Sequence, residues 1–258
     1  MRLHLRRLRA VAYNTYLETV RQRLFLGFVL FGFLLMAASL ILKDISIRQD
    51  LKILEDVGLA ATEFFGTLIA LFLGADLIGR DVERRTLHLL IVKPLTRTEF
   101  IVGRYLGLCL TILTSVVLMA IGVALALLTA HGSFSWALAE AIFSIFLQLC
   151  LTGAISTFLS ATASRPLALL GATVVCLLGR MTDVLKNASL ILEGFPDWLG
   201  KGLYAGLPNL LSFDLKTRAI YGDPIPLSLL GYLVFYALAY ITALLALAAM
   251  AFERRDLK

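Results

Sequence analysis

The chain has 258 residues, 59% of them hydrophobic and 16% charged, with a mean hydropathy of +0.87. A soluble domain of this length does not need so much apolar content, and the apolar residues come in long segments, so the composition argues for a polytopic membrane protein. The net charge of +6 would suit nucleic acid, but the basic residues gather at the ends of apolar runs, where they suit anionic headgroups and set orientation.

In residues 1–23, Leu5, Leu8, Ala12, Tyr16 and Val20 recur at helical spacing among Arg2, Arg6, Arg7 and Arg9. That pattern predicts an amphipathic helix lying in the membrane interface. Residues 24–258 read as one transmembrane domain. Its first span is 24–42, 19 residues without a charge, long enough to cross. A polar loop over 43–56 leads to a second span at 57–78, then 105–128, 136–159, 167–183 and 229–252. The fifth is the weakest, because its apolar part, Leu167 to Gly179, has only 13 residues. Pro196, Gly200, Gly202, Gly206 and Pro208 break the stretch that follows, which predicts short re-entrant or surface helices. The fold class expected is therefore all-α, with six transmembrane helices.

Residues 81–100 form a charged island between the second and third spans. Thr96 and Glu99 are spaced as a capping box, and Leu95 and Phe100 as a hydrophobic staple, so a helix starts at Thr96 and runs into the third span. Pro94 stops whatever helix arrives through Leu87 to Val92. Leu87, Leu90 and Ile91 share one side of that short helix, while Leu89 and Val92 put apolar groups on the other. A plain loop on lipid headgroups would satisfy the charges; apolar groups on two sides fit a docking element for a soluble partner better. With the N-terminus inside, sixteen of the 24 Lys and Arg fall on inner segments. The positive-inside rule thus places this island and both termini in the cytoplasm.

Two spans carry stripes. Gly58, Thr62, Gly66, Ala70 and Gly74 recur every fourth residue in the second, a groove for close approach of another helix. Glu140, Ser144, Gln148, Thr152, Ser156 and Ser160 repeat in the fourth, as interhelical bonding groups or as a lining of a transport route. Glu63, Asp76 and Glu140 are ionisable groups inside spans and therefore functional candidates. Asp76 has Arg80 at i+4, and Glu140 is one turn from Trp136, so Glu63 is the best of the three. Glu63, Glu140 and Arg180 are expected at similar depths on the outer side, with an ion pair among them. Cys109, Cys150 and Cys176 lie inside apolar segments without metal-ligand spacing. Phosphate-loop, H-E-x-x-H and G-x-S-x-G motifs are absent, so energy for uphill work must come from elsewhere.

Asn14-Thr15-Tyr16-Leu17-Glu18-Thr19-Val20-Arg21-Gln22-Arg23 resembles the N-terminal element of ABC-2-type transporter permeases. Glu83 to Leu90, Lys93 to Phe100 and Gly103-Arg104-Tyr105-Leu106-Gly107 are similar to that family's stretch between the second and third spans, with Arg104 where a lysine is common. Leu207-Pro208-Asn209 with Phe213 is similar too. The resemblance implies the membrane subunit of an exporter, not itself an enzyme, with no cofactor of its own and ATP and Mg held by separate cytosolic ATP-binding subunits. A second permease copy or a homologous permease, and membrane lipid, would be its other partners, in a bacterial or archaeal cytoplasmic membrane. Residues 81–100 would be the coupling helix, with Glu83, Arg84, Arg85, Leu87, Leu89, Leu90, Lys93, Pro94, Thr96, Arg97, Glu99 and Phe100 meeting the ATPase. Glu63, Glu140, Ser144, Gln148, Thr152 and Arg180 are the candidate pathway or intramembrane polar residues. The competing readings are a secondary transporter using Glu63 and Glu140 as ion sites, and a membrane scaffold that transports nothing.

Overall fold

The computed structural model describes residues 2–43, 50–83, 97–130, 132, 134–182, 202 and 206–254. Among them are eight α-helices and one short 3₁₀ turn. They are α1 (Arg2–Val20), α2 (Arg23–Lys43), α3 (Asp50–Glu83), α4 (Arg97–Thr129), α5 (Trp136–Thr162), α6 (Arg165–Arg180), the 3₁₀ turn (Leu211–Phe213), α7 (Lys216–Tyr221) and α8 (Leu227–Arg254). Four helices are long and apolar enough to cross a membrane, over Leu51–Gly79, Thr98–Thr129, Trp136–Thr162 and Leu227–Phe252. A fifth candidate is the bent pair of α1 and α2, which meet at 61°. The chain is thus a multi-pass helical membrane protein, with four to five candidate spans among the described residues where six were expected. The difference lies at α2, which qualifies only together with α1, and at α6, whose 16 residues reach about 24 Å, short of the roughly 30 Å of hydrocarbon.

The second span begins earlier than the apolar run suggests. Residues 50–56 were expected in a polar loop, yet α3 starts at Asp50. Leu51 and Leu54 at helical spacing explain the extension, since Leu54 is buried while Lys52 turns outward over the ring of Tyr221, 4.4 Å from its centroid. Elsewhere local signals decide the ends. Ser135 caps α5 by accepting from the N–H of Leu138 (3.2 Å). Pro166 sits in the first turn of α6, where its missing N–H costs nothing. Gly222 ends α7 at φ 74°, a left-handed conformation that favours glycine.

Polar groups face inward and large apolar ones outward. Thr62, Glu63, Ser144, Gln148, Thr152, Ser156 and Ser160 are buried, whereas Leu30, Phe31, Leu125, Leu170, Leu227 and Phe235 are exposed. This inverts the soluble pattern, as lipid solvent requires. α3 and α5 form the centre, with α2, α4, α6 and α8 around them.

The stripes on α3 and α5 meet each other. Gln148 bonds Glu63, Ser156 Oγ donates to Leu71 O (2.8 Å) and Ser160 Oγ donates to Ala75 O (2.7 Å), so the two helices run parallel with a constant offset of 85 residues. The α3 glycines make the approach possible: a Cβ on Gly66 would lie 2.4 Å from Leu149, and one on Gly74 2.7 Å from Ser156.

α1 is seated on the start of α4. Among its described side chains the buried ones are Ala12, Thr15 and Thr19, a face rotated from the Leu5–Val20 seam read in the sequence. The receiving surface is Gly103, Gly107 and Thr111, one every fourth residue. A Cβ on Gly107 would meet Ala12 O at 2.6 Å, and one on Gly103 would meet Val11 at 2.9 Å. The hydroxyls of Thr19 and Thr111 are 2.5 Å apart. Close backbone approach, rather than an oily seam, selects the face.

Candidate functional site

The site is built on Glu63 of α3, one of the two central helices, whose shared seam with α5 is lined by buried polar groups. Its carboxylate is buried, at 3% exposure, and a buried carboxylate persists only with partners. Three residues from three other elements supply them. Gln148 of α5 donates from Nε2 to Oε1 at 2.9 Å. Arg180, the last residue of α6, donates from Nη2 to the same oxygen. Lys216, the first residue of α7, donates from Nζ to Oε2. Asp214 adds a second carboxylate, 3.8 Å from Lys216 Nζ, so the cluster of four charges is neutral. It can hold four elements together, and it can present a polar surface at one depth of the bundle.

Lys216 arrives there because the segment before it is clasped on every side. Leu210 N–H donates to Gly179 O (3.0 Å). Asn209 Oδ1 accepts from Thr182 Oγ1 (3.0 Å) and from Ser212 N–H (3.2 Å), and Asn209 N–H donates to the Tyr236 hydroxyl (2.8 Å). Ser144 Oγ donates to Phe213 O (2.7 Å), and the fully buried Phe213 ring stands 6.1 Å from that of Tyr236. Segment 207–216 is therefore a plug inserted among α5, α6 and α8. The short re-entrant or surface helices expected after residue 179 fall largely on 183–201 and 203–205, outside the described residues.

The sequence-predicted residues divide three ways. Glu63, Gln148 and Arg180 come together, including the ion pair expected between Glu63 and Arg180. Ser144 bonds the plug, and Thr152 is buried against the Cys176 thiol. Glu140 stands apart, half-buried, with no ion pair among the described residues. The offset of 85 residues puts it level with Glu55, two helical turns from Glu63. The expectation of equal depth failed because α3 begins seven residues before the apolar run does, so depth counted from that run was wrong. Asp76 lies 4.0 Å from Arg165 Nε; its expected pairing with Arg80 falls on a side chain outside those described.

Lys216 was missed. It sits in a breaker-rich stretch where no periodicity points to burial, and the only signal was that a carboxylate inside a span needs more compensation than one arginine near the surface gives.

Of the coupling residues, Glu83 ends α3 and Arg97, Glu99 and Phe100 open α4. Arg84, Arg85, Leu87, Leu89, Leu90, Lys93, Pro94 and Thr96 lie outside the described residues, as does the capping-box contact itself. At the described edge, Phe100 is buried beneath the guanidinium of Arg104, 5.3 Å from its ring centroid. Arg104 Nη1 also bonds Glu18 Oε2 of α1 at 3.0 Å. The N-terminal element Asn14–Arg23 and the block Gly103–Gly107 are thus in contact. Among the described residues, no group of three or more His, Cys, Asp or Glu is placed to hold a metal ion.

No curated relative matches the chain. The family model described as "ABC-2 family transporter protein" matches residues 9–185, a stretch that runs from α1 past the end of α6 and takes in Glu18, Glu63, Arg104 and Arg180 but not Lys216. With more than half of its length matched, and with the helical membrane architecture just described, the chain belongs to the ABC-2 family of transporter membrane proteins.

Proposed function

We propose that the chain is the permease subunit of an ATP-binding cassette exporter, working with a second permease copy or a homologous permease. Membrane subunits of this family lack ATPase activity, so ATP and Mg belong to separate cytosolic subunits. In this reading α2, α3, α4, α5, α6 and α8 are six spans. α1 lies in the interface at the inner face, and both termini are in the cytoplasm of a bacterial or archaeal cell. The ATP-binding subunits dock on residues 81–100.

The observation that carries the reading is the seating of α1 on the first turns of α4. Residues 84–96 join α3 directly to α4, and Glu18, Arg104 and Phe100 tie α1 to α4 within two turns of that junction. A push on residues 84–96 therefore moves three helices together. Glu63, Gln148 and Arg180, with Lys216, form the polar point of the translocation route on the outer side. Ser144, Thr152 and Glu140 line the same helix. An ion-driven carrier fits less well, because Glu63 is taken up by two cations and an amide while Glu140 stands two turns away. The test is a pull-down of the tagged chain from its native membrane, with co-purifying ATP-binding subunits scored by mass spectrometry. Leu89→Asp and Leu90→Asp each release those subunits; unchanged association in both variants refutes the docking role.

A further inference from the structure

α6 faces a carboxylate of α3 at both ends. Near its start Arg165 Nε lies 4.0 Å from Asp76, and at its end Arg180 bonds Glu63. The two contacts are 13 residues apart on α3 and 15 on α6, so two antiparallel helices are bridged over about 20 Å at 1.5 Å per residue. Between them the inward face of α6 is Ala168, Ala172, Cys176 and Gly179, all small. Its outward face is Leu167, Leu170, Val174 and Leu177. A helix with a smooth inner face, bonded at its outer end and in loose charge contact at its inner end, shifts as one body.

Beside the contact of Arg165 with Asp76, the end of α5 that leads into α6 makes its own contact with α3. Ser160, two residues from the end of α5 and fully buried, donates to Ala75 O (2.7 Å) and accepts from Gly79 N–H (3.0 Å) and Ile78 N–H (3.3 Å). Ala75 C=O and Gly79 N–H are the two ends of one i→i−4 rung. A hydroxyl that serves both ends lets the helix flex there without leaving a group unpaired. Gly79 leaves room for Arg165, whose Cγ would be 2.7 Å from a Cβ at that position. The turn Ala75–Gly79 of α3, one turn before the end that leads to residues 84–96, is thus jointed to the α5–α6 corner.

The outer end of α6 holds the plug. Gly179 O accepts from Leu210 N–H, Thr182 holds Asn209, and Arg180 and Lys216 share the Glu63 carboxylate. We propose that α6 is a strut that carries movement of the inner end of α3 to segment 207–216. The inference rests on the docking of ATP-binding subunits at residues 81–100 and adds the route by which their motion reaches the far side. Two sites linked by packed elements count as coupled only when perturbing the link breaks the response, and the strut has a link to break at each end.

The test is hydrogen exchange by mass spectrometry on the chain with its co-purified ATP-binding subunits in lipid nanodiscs, with and without a non-hydrolysable ATP analogue. In the wild type the analogue changes exchange in peptides covering 80–100 and 207–218. Ser160→Ala and Arg180→Gln keep the first change and reduce the second about fivefold, the low end of couplings between distant sites. Ser156→Ala is the control: it removes the same kind of buried hydroxyl from the same helix pair, but one that bonds only Leu71 O, and both changes persist. A full response at 207–218 in Ser160→Ala and Arg180→Gln overturns the strut. So does an equal loss in Ser156→Ala, which would mean general loosening of α3 against α5. A wild type whose 80–100 peptides ignore the analogue overturns the docking at 81–100 and the strut with it, and is distinguished from the other outcomes by that peptide alone.

Discussion

Replacing Glu63 by glutamine keeps its shape and its bond to Gln148 but leaves Arg180 and Lys216 without their carboxylate. The two cations differ in how much water reaches them. The Lys216 side chain is 18% exposed and that of Arg180 is 37% exposed. Breaking a buried ion pair from one side costs about 3–5 kcal/mol, whereas pairs open to solvent contribute about 0–1 kcal/mol. Lys216 keeps Asp214 at 3.8 Å, so its share falls to the low end. Glu63→Gln should therefore destabilise by about 3 kcal/mol. Lys216→Ala should cost about 2 kcal/mol, because Glu63 retains Arg180 and Gln148. Arg180→Ala should cost no more than about 1 kcal/mol. The assay is unfolding of the purified protein in mixed micelles by increasing dodecyl sulfate, followed by far-ultraviolet circular dichroism. Exchanging the charges of Glu63 and Arg180 does not restore stability, since the guanidinium would then face Lys216; the triple change Glu63→Arg, Arg180→Glu, Lys216→Glu recovers more than the double. A cost below about 1 kcal/mol for Glu63→Gln, or a larger cost for Arg180→Ala than for Lys216→Ala, refutes the reasoning.

Gly107→Val places a Cβ 2.6 Å from Ala12 O, and overpacking of this kind costs about 1–3 kcal/mol. α1 lifts from α4, and trypsin cuts at Arg21 and Arg23 faster than in the wild type; unchanged protection would mean α1 is held by something other than the glycine groove. Arg104→Lys keeps the charge facing Glu18 in a pair whose acid is 42% exposed, so stability changes by less than about 1 kcal/mol. A larger loss in the same unfolding assay would assign the arginine's role to its stacking over Phe100.

The helices were legible because lipid demands long uncharged runs, and those at α2, α5 and α8 lie within a few residues of the runs that announce them. Ends were less legible where charged residues continue a helix beyond the membrane, as Asp50 to Asp56 do on α3. The Glu63–Arg180 pair could be read from the cost of isolated charge in hydrocarbon. Its third member could not, because Lys216 is placed by bonds to Gly179 O, Thr182 and Tyr236 that no local pattern encodes. The stripe on α4 that receives α1 was in plain view as Gly103, Gly107 and Thr111. It went unread because an arginine-rich amphipathic segment points first to headgroups and only then to a neighbouring helix.

The constant offset between α3 and α5 limits how this protein can move. Gln148, Ser156 and Ser160 fit Glu63, Leu71 and Ala75 like teeth in a rack, so a slip by one residue, about 1.5 Å of travel with a 100° change of facing, would strand three buried donors at once. Small glides along that seam are closed off. Any working stroke must turn the two helices as a single block as far as the Ser160 joint, with compliance left to the end of α3 beyond it and to the elements around the pair.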